Sequence, residues 1–310
     1  MADRYRPRRK LVTHHGVFAP AFPLRHTVVP PPPEPGTEAP VEHPDPRSSS
    51  MTSPPTLFVT WRSAKNRRIY PVGRLRELAR EPRWEFAYIE GSREAESHGF
   101  VPFLEFPNLA TVYRSDDLFP LFDVRVMSSS RPDYADHLQR LGLPPALGSP
   151  MVILARSEGR STTDRIELIA PPVFDAQKNR HVSWFFSRGI RYLSEAEAII
   201  VKLCPGDRLA WSPEPENEHD PLAIALHAAG TLVGRVPFYL VDDMNHLIGK
   251  QADLDVYVER VNLAPAPTDQ RLLCRLEARW SNGFVPFTSQ RFEVRAKDGT
   301  GARNPIQARV

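Results

Sequence analysis

The sequence predicts an α+β chain that is mainly β: a proline-rich leading tail, an α+β front domain, and a small, partly closed β-barrel of the SH3 or OB kind. Three observations predict this. Apolar and aromatic residues recur in many short runs with the two-residue period of strands, separated by turn residues. Only a few stretches carry helical spacing. Thirteen of the 33 prolines fall before Thr56, so their excess belongs to one segment.

Residues 1–55 hold the run Pro30 to Pro33 and end in Ser48-Ser49-Ser50 and Pro54-Pro55. With little to bury, such a segment does not offset an ordering entropy of about 1–2 kcal/mol per residue, and a disordered tail is expected. From Leu57 the texture changes. Leu57 to Trp61, Arg68 to Leu75 and Trp84 to Ile89 read as strands facing one core. Phe100 to Phe106 contains Pro102 and reads as an edge strand or extended loop. Ser115-Asp116-Asp117 has the form of a helix start, followed by Leu118, Leu121, Phe122 and Val126, and Pro132-Asp133 opens a second helix that Gly142 and Pro144 stop. These elements make up a front domain over 56–150.

Residues 151–180 read as a connector with a short helix, a strand at Arg165 to Ile169 and prolines. The barrel is expected over 181–296. Its strands are His181 to Ser187, Arg208 to Ser212, Leu222 to His227, Thr231 to Val236, Asp253 to Val261 and Leu272 to Trp280, with helices at Glu195 to Leu203 and Phe238 to Ile248. In the last strand Leu272, Cys274, Leu276, Ala278 and Trp280 alternate with Arg275, Glu277 and Arg279, which predicts one wet face. Residues 297–310 read as a flexible tail.

Charge and cysteine usage bound the function. The formal charge is +3, from 40 basic and 37 acidic side chains, which excludes bulk polybasic binding and makes any nucleic-acid contact local. Residues 181–248 carry −4 and 249–310 carry +3. Cys204 and Cys274 are too few for a thiolate zinc site and point to a reduced, cytoplasmic compartment. No apolar run reaches the roughly 18 residues of a membrane span, and Arg4 to Lys10 is followed by prolines rather than a signal-peptide core. There is no phosphate-cradling glycine loop, dinucleotide fingerprint or histidine pair at zinc spacing, so no catalytic residue, metal or cofactor is expected.

The cluster Glu214 to Pro221 is the densest in functional groups. As plain structure, Asn217 and Asp220 would fold the loop through side-chain to backbone hydrogen bonds. A second reading starts from order and spacing. Gly189-Ile190-Arg191-Tyr192, Pro205-Gly206-Asp207-Arg208-Leu209, Glu214-Pro215 with Asn217 and Asp220, Ala223-Ile224-Ala225-Leu226, Gly230, and Gly234-Arg235-Val236-Pro237 together resemble the HIRAN domain. The resemblance implies a β-barrel that captures the 3′ end of single-stranded DNA, with Arg191, Tyr192, Asn217, His219 and Asp220 forming the end pocket. Leu193 and His219 stand where that family commonly has aromatics.

The chemistry of these residues suits such a task. Tyr192 offers a stacking face for a terminal base, and Arg191 or Arg235 can pair with phosphate. The Asp220 carboxylate can accept from a free hydroxyl while repelling phosphate. For Arg191 a salt bridge to a nearby glutamate is the plainer alternative, and for Tyr192 ordinary packing on the barrel. Gly73-Arg74-Leu75, Trp84 to Tyr88, Leu118 to Phe122 and Ser130 to Tyr134 resemble the N-terminal subdomain of HipA-type kinases, without the kinase body. That likeness implies a scaffold or protein-partner surface over 57–143. The expected function is non-catalytic recognition of single-stranded nucleic-acid ends, with DNA the expected partner, in repair, replication or defence. The alternative is a protein-interaction or toxin–antitoxin accessory module.

Overall fold

The computed structural model describes residues 56–218, 220–250, 252–280 and 285–295, together with the backbone of 301–303. The expected leading tail, and the expected trailing tail apart from 301–303, lie outside the described residues.

The front half runs β1 (Thr56–Arg62), β2 (Ile69–Glu77), β3 (Trp84–Tyr88), α1 (Gly91–Ser97), β4 (Val112–Ser115), α2 (Pro120–Asp123), α3 (Tyr134–Arg140), α4 (Pro150–Ser157) and β5 (Ile166–Ile169). The rear half runs β6 (Val173–Asp175), β7 (Arg180–Phe186), α5 (Ala196–Ile200), β8 (Arg208–Pro213), β9 (Ile224–Ala228), β10 (Thr231–Arg235), α6 (Phe238–Gly249), β11 (Leu254–Val261) and β12 (Leu272–Ala278). A last strand, β13 (Gly301–Arg303), closes the order.

Two sheets result. The first has the order β13-β4-β3-β2-β1-β5, antiparallel except where β13 lies parallel to β4, pairing Arg303 with Arg114. The second, order β10-β9-β8-β11-β12-β7-β6, is antiparallel throughout. The architecture is therefore mostly β, as expected, with several departures.

The stretch expected as a connector supplies β5 to one sheet and β6 to the other. Part of the expected trailing tail is β13. No closed barrel ladder is present among the described residues: after β7, the chain meets β10 through a single bridge between Arg188 and Arg235. Ser115 ends a strand rather than opening a helix. Its Oγ accepts from the Asp117 N–H at 3.2 Å, the same side-chain to backbone turn that a cap would use. The helix starts instead after Phe119, with Pro120 in its first turn.

Among the described residues, three apolar clusters hold these layers. Under the first sheet, Leu57, Val72, Phe86, Phe106, Phe122, Met151 and Leu168 pack together, with the Phe86 and Phe106 rings 4.1 Å apart. The second cluster joins Leu226, Leu240, Met244, Val256 and Cys274 of the rear half to Phe58, Ile89 and Ile169 of the front half. The third sets Leu138, Leu141, Val152 and Ile153 against Phe186 and Leu273. That third cluster corrects the expected wet face of β12. Leu273 is on the Arg275 and Glu277 side yet fully buried under α3 and α4, while Glu277 is buried and held by Lys178 and Arg275, each at 2.6 Å.

Candidate nucleic-acid interface

The candidate site forms where β7 and β10 leave their ladders. Arg188 and Arg235 exchange both backbone hydrogen bonds, at 2.8 and 2.9 Å. This approach needs glycine at 234. Its φ is +138°, and a Cβ there would stand 1.9 Å from Ser187 Oγ and 2.9 Å from the Arg188 carbonyl. Past Arg188, Gly189 turns the chain with φ of +80° into a 3-10 turn, Ile190–Tyr192.

That turn buries Ile190 and exposes the next two residues. Tyr192 is 70% exposed. The Arg191 guanidinium lies over its ring, 4.6 Å from the centroid, and donates to the Tyr192 hydroxyl. The structure thus gives Arg191 an aromatic partner rather than the glutamate considered from sequence. Tyr192 projects from the sheet instead of packing on it.

The loop between β8 and β9 brings in the other half. Glu214 receives Arg235 through two parallel hydrogen bonds, Nε to Oε2 at 2.6 Å and Nη2 to Oε1 at 3.0 Å, and Asn217 Nδ2 donates to Oε2 at 3.1 Å. The Arg235 hydrogen bond holds the Glu214 carboxyl below the usual carboxylate range against a smaller opposing effect of burial. Asn217 Oδ1 accepts from the Asp220 N–H at 3.2 Å, and Asp220 Oδ1 accepts from the Leu222 N–H at 3.0 Å. The loop-folding account of Asn217 and Asp220 is therefore realised. His219 lies outside the described residues.

Arg235 connects the two halves. A Cβ at Gly189 would stand 3.5 Å from Arg235 Nη1, and the same guanidinium binds Glu214. The turn bearing Arg191 and Tyr192 and the loop bearing Asn217 and Asp220 therefore meet at one side chain. The Arg235 guanidinium is engaged by Glu214, whereas Arg191 is exposed.

Beneath the turn lies a buried ionic group. Glu158, with φ of 58° after α4, accepts from Tyr239 Oη at 2.8 Å and is paired with Arg188, which also reaches Glu167 at 3.5 Å. Burial raises the Glu158 carboxyl above its ordinary range even with Arg188 beside it. Burial opposes the Arg188 charge, but Glu158 and Glu167 outweigh it and hold the guanidinium above its ordinary value. Sequence reasoning missed Arg188, Glu158 and Tyr239. Arg188 adjoins the Gly189 motif, but its partners Glu167 and Glu158 lie 21 and 30 residues away along the chain, where no local pattern points to them.

Among the described residues no helix is long and apolar enough to cross a membrane. No family model matches the chain, and no curated protein matches it. Two solved structures are similar to part of it. One is a protein from Lactobacillus plantarum, 20% identical, covering 31% of this chain and 89% of that one, with a TM-score of 0.27. The other is the HIRAN domain of human HLTF, 17% identical, covering 31% of this chain and 72% of that one, with a TM-score of 0.24.

Proposed function

We propose that the chain is a non-catalytic nucleic-acid-binding protein that receives the 3′ end of a single strand, DNA by preference, between the Ile190–Tyr192 turn and the Glu214–Asp220 loop. The observation that carries the reading is the exposed Arg191–Tyr192 pair meeting the Asp220 loop at Arg235. The motif order that resembles the HIRAN domain supports it. In this reading Tyr192 stacks on the terminal base, Arg191 pairs with the adjacent phosphate through donors not used by the Tyr192 hydroxyl, and Asp220 accepts from the free 3′ hydroxyl.

The magnitudes are modest. Stacking contributes about 1–3 kcal/mol, and a hydrogen bond to a charged group about 1.5–3 kcal/mol. With up to about 1 kcal/mol from the exposed Arg191–phosphate pair, they reach roughly 3–7 kcal/mol, or dissociation constants from millimolar to about ten micromolar. The test is binding of a fluorescent single strand with a free 3′ hydroxyl against the same strand ending in a 3′ phosphate. The free end is expected to bind several-fold more tightly, Tyr192→Ala is expected to weaken binding of both strands, and Asp220→Ala is expected to erase the difference. Equal affinity for both ends, unaltered by either substitution, overturns the reading.

A further inference from the structure

The weak affinity expected of an end pocket directs attention to charge elsewhere. On one face of the first sheet, Arg76 of β2, Glu85 of β3 and Arg114 of β4 stand directly opposite one another across three strands. Arg74 lies two residues before Arg76 and so shares that face. Three guanidiniums thus surround one carboxylate. Arg114 hydrogen-bonds it through Nη2 at 3.2 Å and Nε at 3.3 Å, whereas Arg74 and Arg76 stand farther off at 3.6 and 3.5 Å. Glu85 is nearly buried, with 9% of its side chain exposed, and the arginines at 25, 41 and 45% face outward.

This arrangement goes beyond what the sheet needs. One guanidinium suffices to satisfy a buried carboxylate, and each further like charge is repulsive. The Arg74 guanidinium is held below its ordinary value, first by burial and then by Arg76, and its buried Nε has no acceptor among the described residues. An anion at the outward donors would offset the repulsion between Arg74 and Arg76. Arginine's planar fork matches phosphate oxygens. The three guanidiniums converge on Glu85, each within 3.6 Å of its carboxylate, and their outward donors form one patch that carries an excess of positive charge along which the phosphates of a strand can lie. Phe58, opposite Arg74 on the same face, packs into the rear-half core, so the cluster sits on the side of the first sheet that meets the second.

We infer that Arg74, Arg76 and Arg114 form a second, sequence-independent contact for the phosphate backbone of a nucleic acid. The choice of nucleic acid rests on the proposed end-binding reading, because the cluster supplies the affinity that the end pocket lacks.

The experiment uses the full chain and a single strand ending in a 3′ phosphate, so that end selectivity does not enter. Affinity is measured between about 50 and about 200 mM salt for the parent, Arg76→Gln, Arg114→Gln, the triple Arg74→Gln/Arg76→Gln/Arg114→Gln variant, and Glu85→Gln. Each lost phosphate contact on a single strand lowers the log–log salt slope by about 0.7, so the triple variant loses about 2. The parent's affinity then falls roughly twentyfold more than the variant's over that range. Glu85→Gln, which removes the competing carboxylate, is expected to tighten binding.

An unchanged slope in the folded triple variant overturns the inference, as does a Glu85→Gln change that weakens binding in step with the arginine changes. Capture of an acidic protein by this face, with no oligonucleotide binding, also overturns it. The single variants keep the test decisive should the triple variant fail to fold. Loss of end selectivity with the slope effect intact would overturn the end-binding reading alone, and the reverse pattern would overturn this inference alone.

Discussion

Arg235 binds Glu214 edge to edge, and this pair ties the Gly189 turn to the loop after β8. The pair also sets a pH dependence. The Glu214 carboxyl titrates below its ordinary value in the folded protein, so its contribution is fully present above the unfolded value of about 4.3 and is lost as pH falls through the lower folded value. Carboxyl titration followed by NMR is expected to place Glu214 below ordinary glutamates, and Arg235→Gln is expected to move it back up. A Glu214 titration indifferent to Arg235→Gln would show that the pair does not hold in solution.

Two glycines in the site should respond unequally to alanine. At Gly234 both the φ of +138° and the Ser187 Oγ only 1.9 Å from a Cβ oppose substitution, and Gly234→Ala is expected to cost about 2–4 kcal/mol in urea unfolding. At Gly189 the nearest atom is a guanidinium nitrogen at 3.5 Å, so Gly189→Ala carries only the left-handed backbone penalty of about 1–2 kcal/mol. Equal costs would contradict the close approach of β10 to Ser187.

The ionic group under the turn predicts non-additive losses. Arg188→Met leaves Glu158 buried without its cation, for about 3–5 kcal/mol. Tyr239→Phe removes one hydrogen bond to the same carboxylate, for about 1.5–3 kcal/mol. Because both act on Glu158, the double variant is expected to fall short of the sum in equilibrium unfolding. Strict additivity would show the two partners to be independent.

On α6, burial raises the Asp243 carboxyl to about 6, with Asp242 adding to the effect. Its unfolded value is about 3.9, so between the two the folded state holds the extra proton. Stability from this group therefore falls as pH rises from about 4 to about 6 and is level above. Asp243→Asn, neutral at every pH, is expected to stabilise the protein at neutral pH by about 1–2 kcal/mol and to flatten that interval. A melting temperature for Asp243→Asn that tracks the parent at every pH would refute it.

Much of this fold was legible in the sequence because strand signals are local. Leu57 to Trp61, Trp84 to Tyr88 and the alternation after Leu272 each announce themselves within a few residues. What misled was a signature shared by two structures: a serine followed by acidic residues closes a strand at Ser115 as readily as it opens a helix. Within the candidate site, Asn217 and Asp220 were readable as a turn, and Arg191 with Tyr192 as a polar and aromatic pair. Glu214 stood in the motif, yet its role emerges only when Arg235, 21 residues on, reaches it. The cover over Leu273 was hinted at by an apolar residue on the face expected to be wet, but identifying it required α3 and α4 to fold back across the sheet.

The interleaving of β5 and β6 has a practical meaning for anyone dissecting the chain. A fragment begun at residue 181 would discard β6 and, with it, the front-half residues Phe58, Ile89 and Ile169 that complete the rear core. It would present an unguarded strand margin beside a greasy scar, a recipe for insolubility. Cleaner dissection keeps 56–303 whole, β13 included, and silences one surface at a time by substitution.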